Sequence, residues 1–103
     1  MPGNGSSDLE VAADLFKVLS APLRLGILDQ LDSGERCVHE LVEALQVPQP
    51  LISQHLRVLR GARLVRSARR GREIAYELSD DHVAHIVRDA LTHTREEHPW
   101  PSR

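Results

Sequence analysis

The sequence has few of the residues that cross-link or anchor a small protein. Its one cysteine, Cys37, excludes an internal disulfide framework and a multi-thiolate metal cluster within one chain. No secretory leader or long apolar run is visible, so we expect a cytoplasmic protein that does not contact a membrane. Phe16, Tyr76 and Trp100 are the only aromatic residues, so the core must be built from aliphatic side chains.

Acidic residues are missing from one long segment. The net charge is −2, yet no Asp or Glu lies between Ala44 and Arg72, and seven of the 13 basic residues fall there. These are Arg57, Arg60, Arg63, Arg66, Arg69, Arg70 and Arg72. A solvated arginine face usually carries interspersed glutamates, so this pattern indicates a phosphate-binding surface on an otherwise acidic protein.

The length of 103 residues supports one compact core. A chain of this size would gain stability by sharing that core with a second copy, which favours a homodimer. The two ends are rich in Gly, Pro and Ser. We therefore predict disordered tails at 1–7 and 99–103 and one folded domain at 8–98.

Apolar residues at helical spacing predict helices over 9–19, 23–31, 38–45 and about 49–60. The break at 46–48 separates the last two, as in a helix-turn-helix, with Leu51, Ile52, Leu56 and Leu59 inward. The second of these helices would read base edges in the major groove of double-stranded DNA. Its candidate DNA-binding residues are Gln49, Ser53, Gln54, His55 and Arg57.

After Gly61 the spacing of the apolar residues changes from helical to alternating. This predicts strands over 64–68 and 73–78, joined by a basic tip of Arg69, Arg70, Gly71 and Arg72, with positive φ at Gly71. A hairpin that follows a recognition helix is a wing, and its arginines can reach phosphates or a minor groove. The predicted fold class is mainly α with a β-hairpin wing, a winged helix-turn-helix.

Four metal-capable residues lie in or beside a last predicted helix over 79–95. His82 and His93 lie at equal distances along the sequence from a midpoint near position 88, and Asp80 and Glu96 do so as well. The histidines are about 16 Å apart along one helix, so a single helix cannot place both on one ion. Two helices laid antiparallel across a twofold axis would bring His82 beside His93 of the other subunit. The nitrogen and oxygen donors suit Zn(II), with Co(II) as a substitute.

Three other interpretations compete with this one. Asp80 can cap the start of any helix, and Glu96 can simply be a solvated residue at its end. The alternative is therefore a winged-helix DNA-binding regulator with structural, non-sensing histidines. His85 and His98 could add ligands, but His85 has no partner around the same midpoint. A zinc hydrolase would need an open coordination position and a nucleophile constellation that the sequence lacks, so we do not expect an enzyme.

The run CVHELVEALQVPQPLISQHLRVLRGARLVRSARRGREIAYELSDDH resembles the winged helix-turn-helix core of ArsR/SmtB metal-sensing repressors. The SQHL segment, the wing and the terminal D-x-H and H-x-x-E patterns carry the resemblance. It implies a homodimer, formed through the N- and C-terminal helices, that binds operator DNA and represses transcription. It also implies release of the DNA when zinc binds Asp80 and His82 of one subunit with His93 and Glu96 of the other.

One feature departs from many members of this family. They carry a Cys-x-Cys thiolate site in the third helix, completed by the N-terminal tail. Here the pattern is Cys37, Val38, His39, and the tail contains neither Cys nor His. We therefore expect Cys37 to be a small buried residue at the start of a helix and not part of a second metal site.

Overall fold

A computed structural model describes residues 5–96, with the side chains of residues 7–96. Five helices and three strands follow one another along the chain. They are α1 (Gly5–Leu19), α2 (Pro22–Leu31), β1 (Arg36–Cys37), α3 (Val38–Leu45), α4 (Gln49–Gly61), β2 (Val65–Arg70), β3 (Glu73–Leu78) and α5 (Asp81–Arg95). Among these helices, none is long and apolar enough to cross a membrane.

The core is aliphatic, as the shortage of aromatic residues predicts. All five helices contribute apolar side chains to it, and the inner side of the wing closes it. Its buried members are Leu19, Ile27, Leu28, Leu31, Leu41, Ile52, Leu56, Leu59, Leu64, Val65, Val83 and Val87. Tyr76 packs against the edge of this cluster and is only partly buried.

The helix-turn-helix prediction is confirmed at α3 and α4. Gln46 ends α3 in the left-handed region with φ 58°, and its backbone N–H donates to Val42 O over 2.8 Å. The chain then turns in two residues and α4 begins with Pro50 in its first turn, where a missing N–H costs nothing. Leu51 was wrongly predicted to face inward and is 41% exposed. It lies a full 100° around the helix from buried Ile52, outside the stripe that packs on the core.

The wing is confirmed, with two corrections. Strand β2 continues to Arg70, which pairs with Glu73, so the turn holds only Gly71 and Arg72. Gly71 has the predicted positive φ, at 64°. The sheet also has a third strand that the sequence did not predict, because β1 is two residues long. It pairs with β3 and gives the order β1-β3-β2.

The terminal helices differ from their predicted bounds. Helix α1 begins at Gly5, so residues 5–7, predicted as part of a disordered tail, are helical. Helix α5 begins at Asp81, and Asp80 is its extended N-cap residue. The rest of the predicted N-terminal tail, His98 and the tail at 99–103 lie outside the described residues.

An apolar face remains uncovered on the outer side of α1. Leu9 and Phe16, seven residues apart and therefore on one side of the helix, are 71% and 55% exposed. Phe16 also borders a recess of about 200 Å³ whose other walls come from α2 and α5, including Leu25, Ile86 and Ala90. The single chain therefore exposes apolar surface on both its N-terminal and its C-terminal helix.

Candidate functional site

The outer side of α4 carries most of the predicted DNA-binding residues. Gln49, Gln54 and Arg57 are exposed, and Ser53 is half-buried beside them. The opposite side of the helix is fixed in the core by Ile52, Leu56 and Leu59. Because the helix is anchored along one stripe, its polar side chains form a rigid outward surface.

His55 lies on a different side of α4 from the other candidates. It is half-buried, and its Nδ1 accepts a hydrogen bond of 3.1 Å from Nε of Arg24 on α2. The same guanidinium donates from Nη1 to Val18 O at the end of α1 over 3.0 Å. The structure thus gives His55 a packing role between helices. The sequence had indicated only an exposed side chain that could contact DNA bases.

The arginines at the wing tip also divide into two kinds. Arg69 and Arg72 are exposed, and no ion pair is found for either within residues 5–96. Arg70 instead donates to Glu40 Oε1 and to Glu35 O, both at 3.1 Å, and so holds the wing against α3. The structure thus gives Arg70 partners within the chain that the sequence did not indicate, and its contact with DNA stays a prediction.

Glu40 is held ionised by this arrangement. The backbone N–H of Cys37 donates to its Oε1 over 2.7 Å, and this bond, together with Arg70, lowers the pKa of the Glu40 carboxyl. The carboxylate thus caps α3 and anchors the wing at the same time.

The basic segment contains two free guanidinium groups that the prediction of site residues left out. Arg60 and Arg63 are exposed, and in the described part of the chain neither forms an ion pair. Arg66, by contrast, is paired with Glu77 across the wing at 2.8 Å. The absence of acidic residues from the segment is the signal that identifies Arg60 and Arg63 as available cations.

The first half of the predicted metal site is local to the start of α5. Asp80 Oδ1 accepts from the backbone N–H groups of His82 and Val83, over 2.9 and 3.4 Å. The same oxygen lies 3.5 Å from His82 Nδ1, and the His82 side chain is 90% exposed. The structure therefore brings Asp80 and His82 together, as predicted, at the unwound end of the helix.

The second half lies at the other end of α5. His93 is exposed in its last turn, and Glu96, also exposed, is the extended C-cap residue just beyond it. The four predicted ligands do not form one group within the described chain, in keeping with the helical geometry. Their pairing across two subunits stays a prediction. His85 lies 3.4 Å from Nη1 of Arg88, and a cation at that distance disfavours a second positive ion.

One group of three metal-capable side chains does form within residues 5–96. Cys37, His39 and Glu73 place one ligand atom each within 4.8 Å of one another. Cys37 is 2% exposed, and its thiol donates to Glu73 Oε1 over 3.2 Å. Burial, reinforced by this hydrogen bond, raises the pKa of the Cys37 thiol, so it remains protonated. The prediction that Cys37 is a small buried residue at a helix start is confirmed, whereas the approach of Glu73 from the wing was not predicted.

Comparison with known proteins identifies the fold and the family. Residues 21–67, which include the helix-turn-helix, match the model of "Bacterial regulatory protein, arsR family". The HTH-type transcriptional regulator NmtR of Mycobacterium tuberculosis is 40% identical over 94% of this chain and 80% of its own length. The chain belongs to the arsR family.

Three further comparisons of this arsR-family chain, one of sequence and two of structure, agree with this. The HTH-type transcriptional repressor SmtB of Mycobacterium tuberculosis is 53% identical over 86% of the chain, which spans 66% of that relative. The solution structure of apo-NmtR superposes with a TM-score of 0.77 and 39% identity, over 99% of this chain and 85% of that one. The homodimeric winged helix-turn-helix DNA-binding domain Mb0332 of Mycobacterium bovis superposes with a TM-score of 0.78 at 26% identity, over 100% and 97% of the two chains.

These matches show the winged helix-turn-helix fold. The matched family model describes a bacterial regulatory protein, and the relatives are named as transcriptional regulators or repressors.

Proposed function

We propose that this arsR-family protein is a homodimeric repressor that binds operator DNA and releases it when Zn(II) occupies two intersubunit sites. Each site would use Asp80 and His82 of one subunit with His93 and Glu96 of the other. The observation that carries the proposal is the exposed Asp80–His82 pair at one end of α5, with His93 and Glu96 exposed at the other end. Each α5 helix thus offers half of the ligands of one metal site at each end, and neither site is complete within one chain.

The donor atoms on the chain fit a zinc ion. All the contacts that Asp80 makes with His82 and Val83 use Oδ1, which leaves Oδ2 for a ligand. The His82 imidazole points into solvent. Two imidazole nitrogens and two carboxylate oxygens match the tetrahedral preference of zinc, and Co(II) accepts the same set. A regulatory ion held by four protein ligands would act by cross-linking two helices.

The dimer is supported by the uncovered apolar area on α1 and α5. Exposed contiguous apolar surface marks an interaction site, and a twofold contact uses the same surface on both subunits. Phe16 and Ile86 border the recess between the two helices. Pairing this area with its own copy would bring two α5 helices together, which the intersubunit metal site requires.

Zinc and DNA would then be linked through the shape of the dimer. The two α4 helices must stand about 34 Å apart to enter successive major grooves. Helix α5 packs on α2, and α2 contacts α4. A movement of α5 can therefore be transmitted to α4 through α2. A coupling free energy of about 1–3 kcal/mol would be enough, because about 1.4 kcal/mol already changes affinity tenfold.

The test is a DNA-binding titration with a duplex that the protein itself selects from a randomised library. The wild-type protein is expected to bind this duplex and to release it on addition of Zn(II). Asp80→Asn keeps a good N-cap and removes the carboxylate, so it and His93→Ala should bind DNA normally and ignore zinc. Cys37→Ser is the matched control at the other candidate cluster and should still respond. A zinc response that survives in His93→Ala and disappears in Cys37→Ser would refute the proposed site.

The alternative is a regulator whose residues at the ends of α5 are structural. The capping bonds of Asp80 favour it, since they occur in any stable helix. In that case zinc would leave the DNA affinity of the wild-type protein unchanged, and His93→Ala would weaken the dimer.

A further inference from the structure

We infer that Ser53, Arg57, Arg60 and Tyr76 form a binding pocket for one phosphodiester group of the DNA backbone, at the junction of α4 and the wing. The inference rests on the proposed operator binding. It adds a defined site to that binding, with Tyr76, which the sequence did not assign to DNA, and Arg60, which the sequence placed only in the basic segment.

The pocket is a recess of about 190 Å³ lined by those four residues and by Leu56. Leu56 is 2% exposed and belongs to the core, so the floor of the recess is fixed. Ser53 and Tyr76 are half-buried on its two sides, while Arg57 and Arg60 are exposed. Space for several water-sized groups is thus enclosed between a rigid helix and a strand.

The spacing along α4 places its three polar residues on one side of the helix. Ser53, Arg57 and Arg60 follow one another at steps of four and three residues, which stack side chains over successive turns. Tyr76 on β3 also lines the recess, and its side chain carries a second hydroxyl group. Two arginine side chains and two hydroxyl-bearing side chains therefore line a single concave surface.

The electrostatics favour an anion. No carboxylate lines the recess, and within residues 5–96 neither Arg57 nor Arg60 is paired with an acidic residue. Glu77 follows Tyr76 on the strand, but neighbouring strand residues point to opposite faces, and Glu77 is paired with Arg66. The two arginines that line the recess therefore carry charges that no carboxylate of the described residues neutralises.

A phosphodiester fits this chemistry and this place. Guanidinium groups bind phosphate oxygens through paired charged hydrogen bonds, and Ser and Tyr hydroxyls commonly donate to the DNA backbone. When a recognition helix lies in the major groove and a wing lies beside it, the strand of phosphates that borders the groove passes between them. The recess lies at that position, between α4 and β3.

The experiment measures binding of the library-selected duplex as a function of salt. Arg60→Gln should lower affinity about tenfold at low salt and reduce the slope of log affinity against log salt by about one. Tyr76→Phe keeps the packing of the ring, so it should lower affinity less and leave the slope unchanged. Arg66→Gln is the matched control: it removes an arginine already paired with Glu77, and the slope should stay at the wild-type value.

A second arm locates the contact on the DNA. Neutral methylphosphonate groups are placed singly along the duplex, and the position in each operator half that faces the recess should be among those that weaken the wild-type protein. At that position Arg60→Gln should lose less affinity than the wild type, whereas at the other sensitive positions the two proteins should lose the same. Independent, additive losses at all positions would overturn the pocket.

A third arm separates DNA phosphate from free phosphate. Inorganic phosphate is titrated into DNA-free protein while the Arg60 Nε and Tyr76 signals are followed by NMR. Weak, non-saturating shifts are expected, because one anion lacks the neighbouring contacts of a duplex. Saturable submillimolar binding, with unchanged DNA affinity of Arg60→Gln, would refute the inference and leave operator binding in place. A wild-type protein that binds no duplex would overturn both.

Discussion

Arg88 on α5 donates three hydrogen bonds to the carboxylate of Asp32 at the end of α2. Its Nη2 donates to Oδ1 at 2.8 Å and to Oδ2 at 3.0 Å, and its Nε donates to Oδ2 at 3.1 Å. This bidentate pair joins the helix that carries the proposed metal ligands to the helix that contacts α4. The hydrogen bond from Arg88 lowers the pKa of the Asp32 carboxyl and raises that of Arg88.

The pair predicts a pH-dependent contribution to stability. Because the pKa of Asp32 is lower in the folded protein than its ordinary value of 3.8, the contribution is present above that value and is lost as the pH falls through the folded pKa. Asp32→Asn and Arg88→Gln should therefore lower the unfolding midpoint at pH 7, and the difference from the wild-type protein should shrink below about pH 3.8. Urea unfolding across this range measures it.

Asp29→Asn is the control for that series. Asp29 lies one turn earlier on the exposed side of α2, and its side chain has no ion pair among the described residues. The same substitution there should leave the midpoint close to the wild-type value at both ends of the pH range. Equal effects of the two Asp→Asn changes would show that the pair with Arg88 is not responsible.

The wing predicts opposite behaviour for two adjacent arginines. Arg69 is exposed, so Arg69→Gln should weaken DNA binding and reduce the salt slope by about one. Arg70 is held by Glu40 and Glu35, so Arg70→Gln should release the wing from α3 and lower the unfolding midpoint, with little change in slope. Salt-dependent DNA binding and thermal unfolding of both variants separate the two roles. A larger loss of slope in Arg70→Gln would contradict this assignment.

The apolar face of α1 predicts the dimer contact. Phe16 and Ile74 have nearly equal exposed fractions, 55% and 52%, but Phe16 borders the recess between α1 and α5 whereas Ile74 lies on the wing. Phe16→Ser should weaken dimerisation by about 2 kcal/mol for each Phe16 ring. A twofold axis places one such ring from each subunit in the contact, so the change acts twice. Ile74→Ser should leave it intact. Sedimentation velocity at several concentrations compares the variants, and a Phe16→Ser protein as dimeric as the wild type would rule out this face.

Local patterns predicted most of the fold. The apolar period and the Gln46–Pro48 break predicted α3 and α4 within one residue of their bounds, because those signals lie within the helices themselves. Strand β1 could not be predicted, since two residues show no alternation. The N-cap role of Asp80 was predictable because its bonds reach only to His82 and Val83.

The site was predicted less completely, for a physical reason. The roles of His55 and Arg70 depend on partners 31 and 30 residues away, Arg24 and Glu40, which a pattern along one helix or hairpin cannot reveal. The approach of Glu73 to Cys37 depends likewise on the pairing of β1 with β3. Sequence spacing identified which side chains could bind a ligand, and tertiary packing determined which of them are already engaged.

Two glycines near the wing predict stability changes of opposite sign. A Cβ added at Gly61 meets nothing within 4 Å, and this residue lies in α4, so Gly61→Ala should stabilise the protein by about 0.5–1 kcal/mol. A Cβ at Gly71 also meets open space, but φ is +64° there, so Gly71→Ala should cost about 1–2 kcal/mol. The left-handed residue after α4 is Arg63, at φ 63°, and not Gly61. Urea unfolding of both alanine variants tests this, and stabilisation by Gly71→Ala would mean that the turn adopts another conformation.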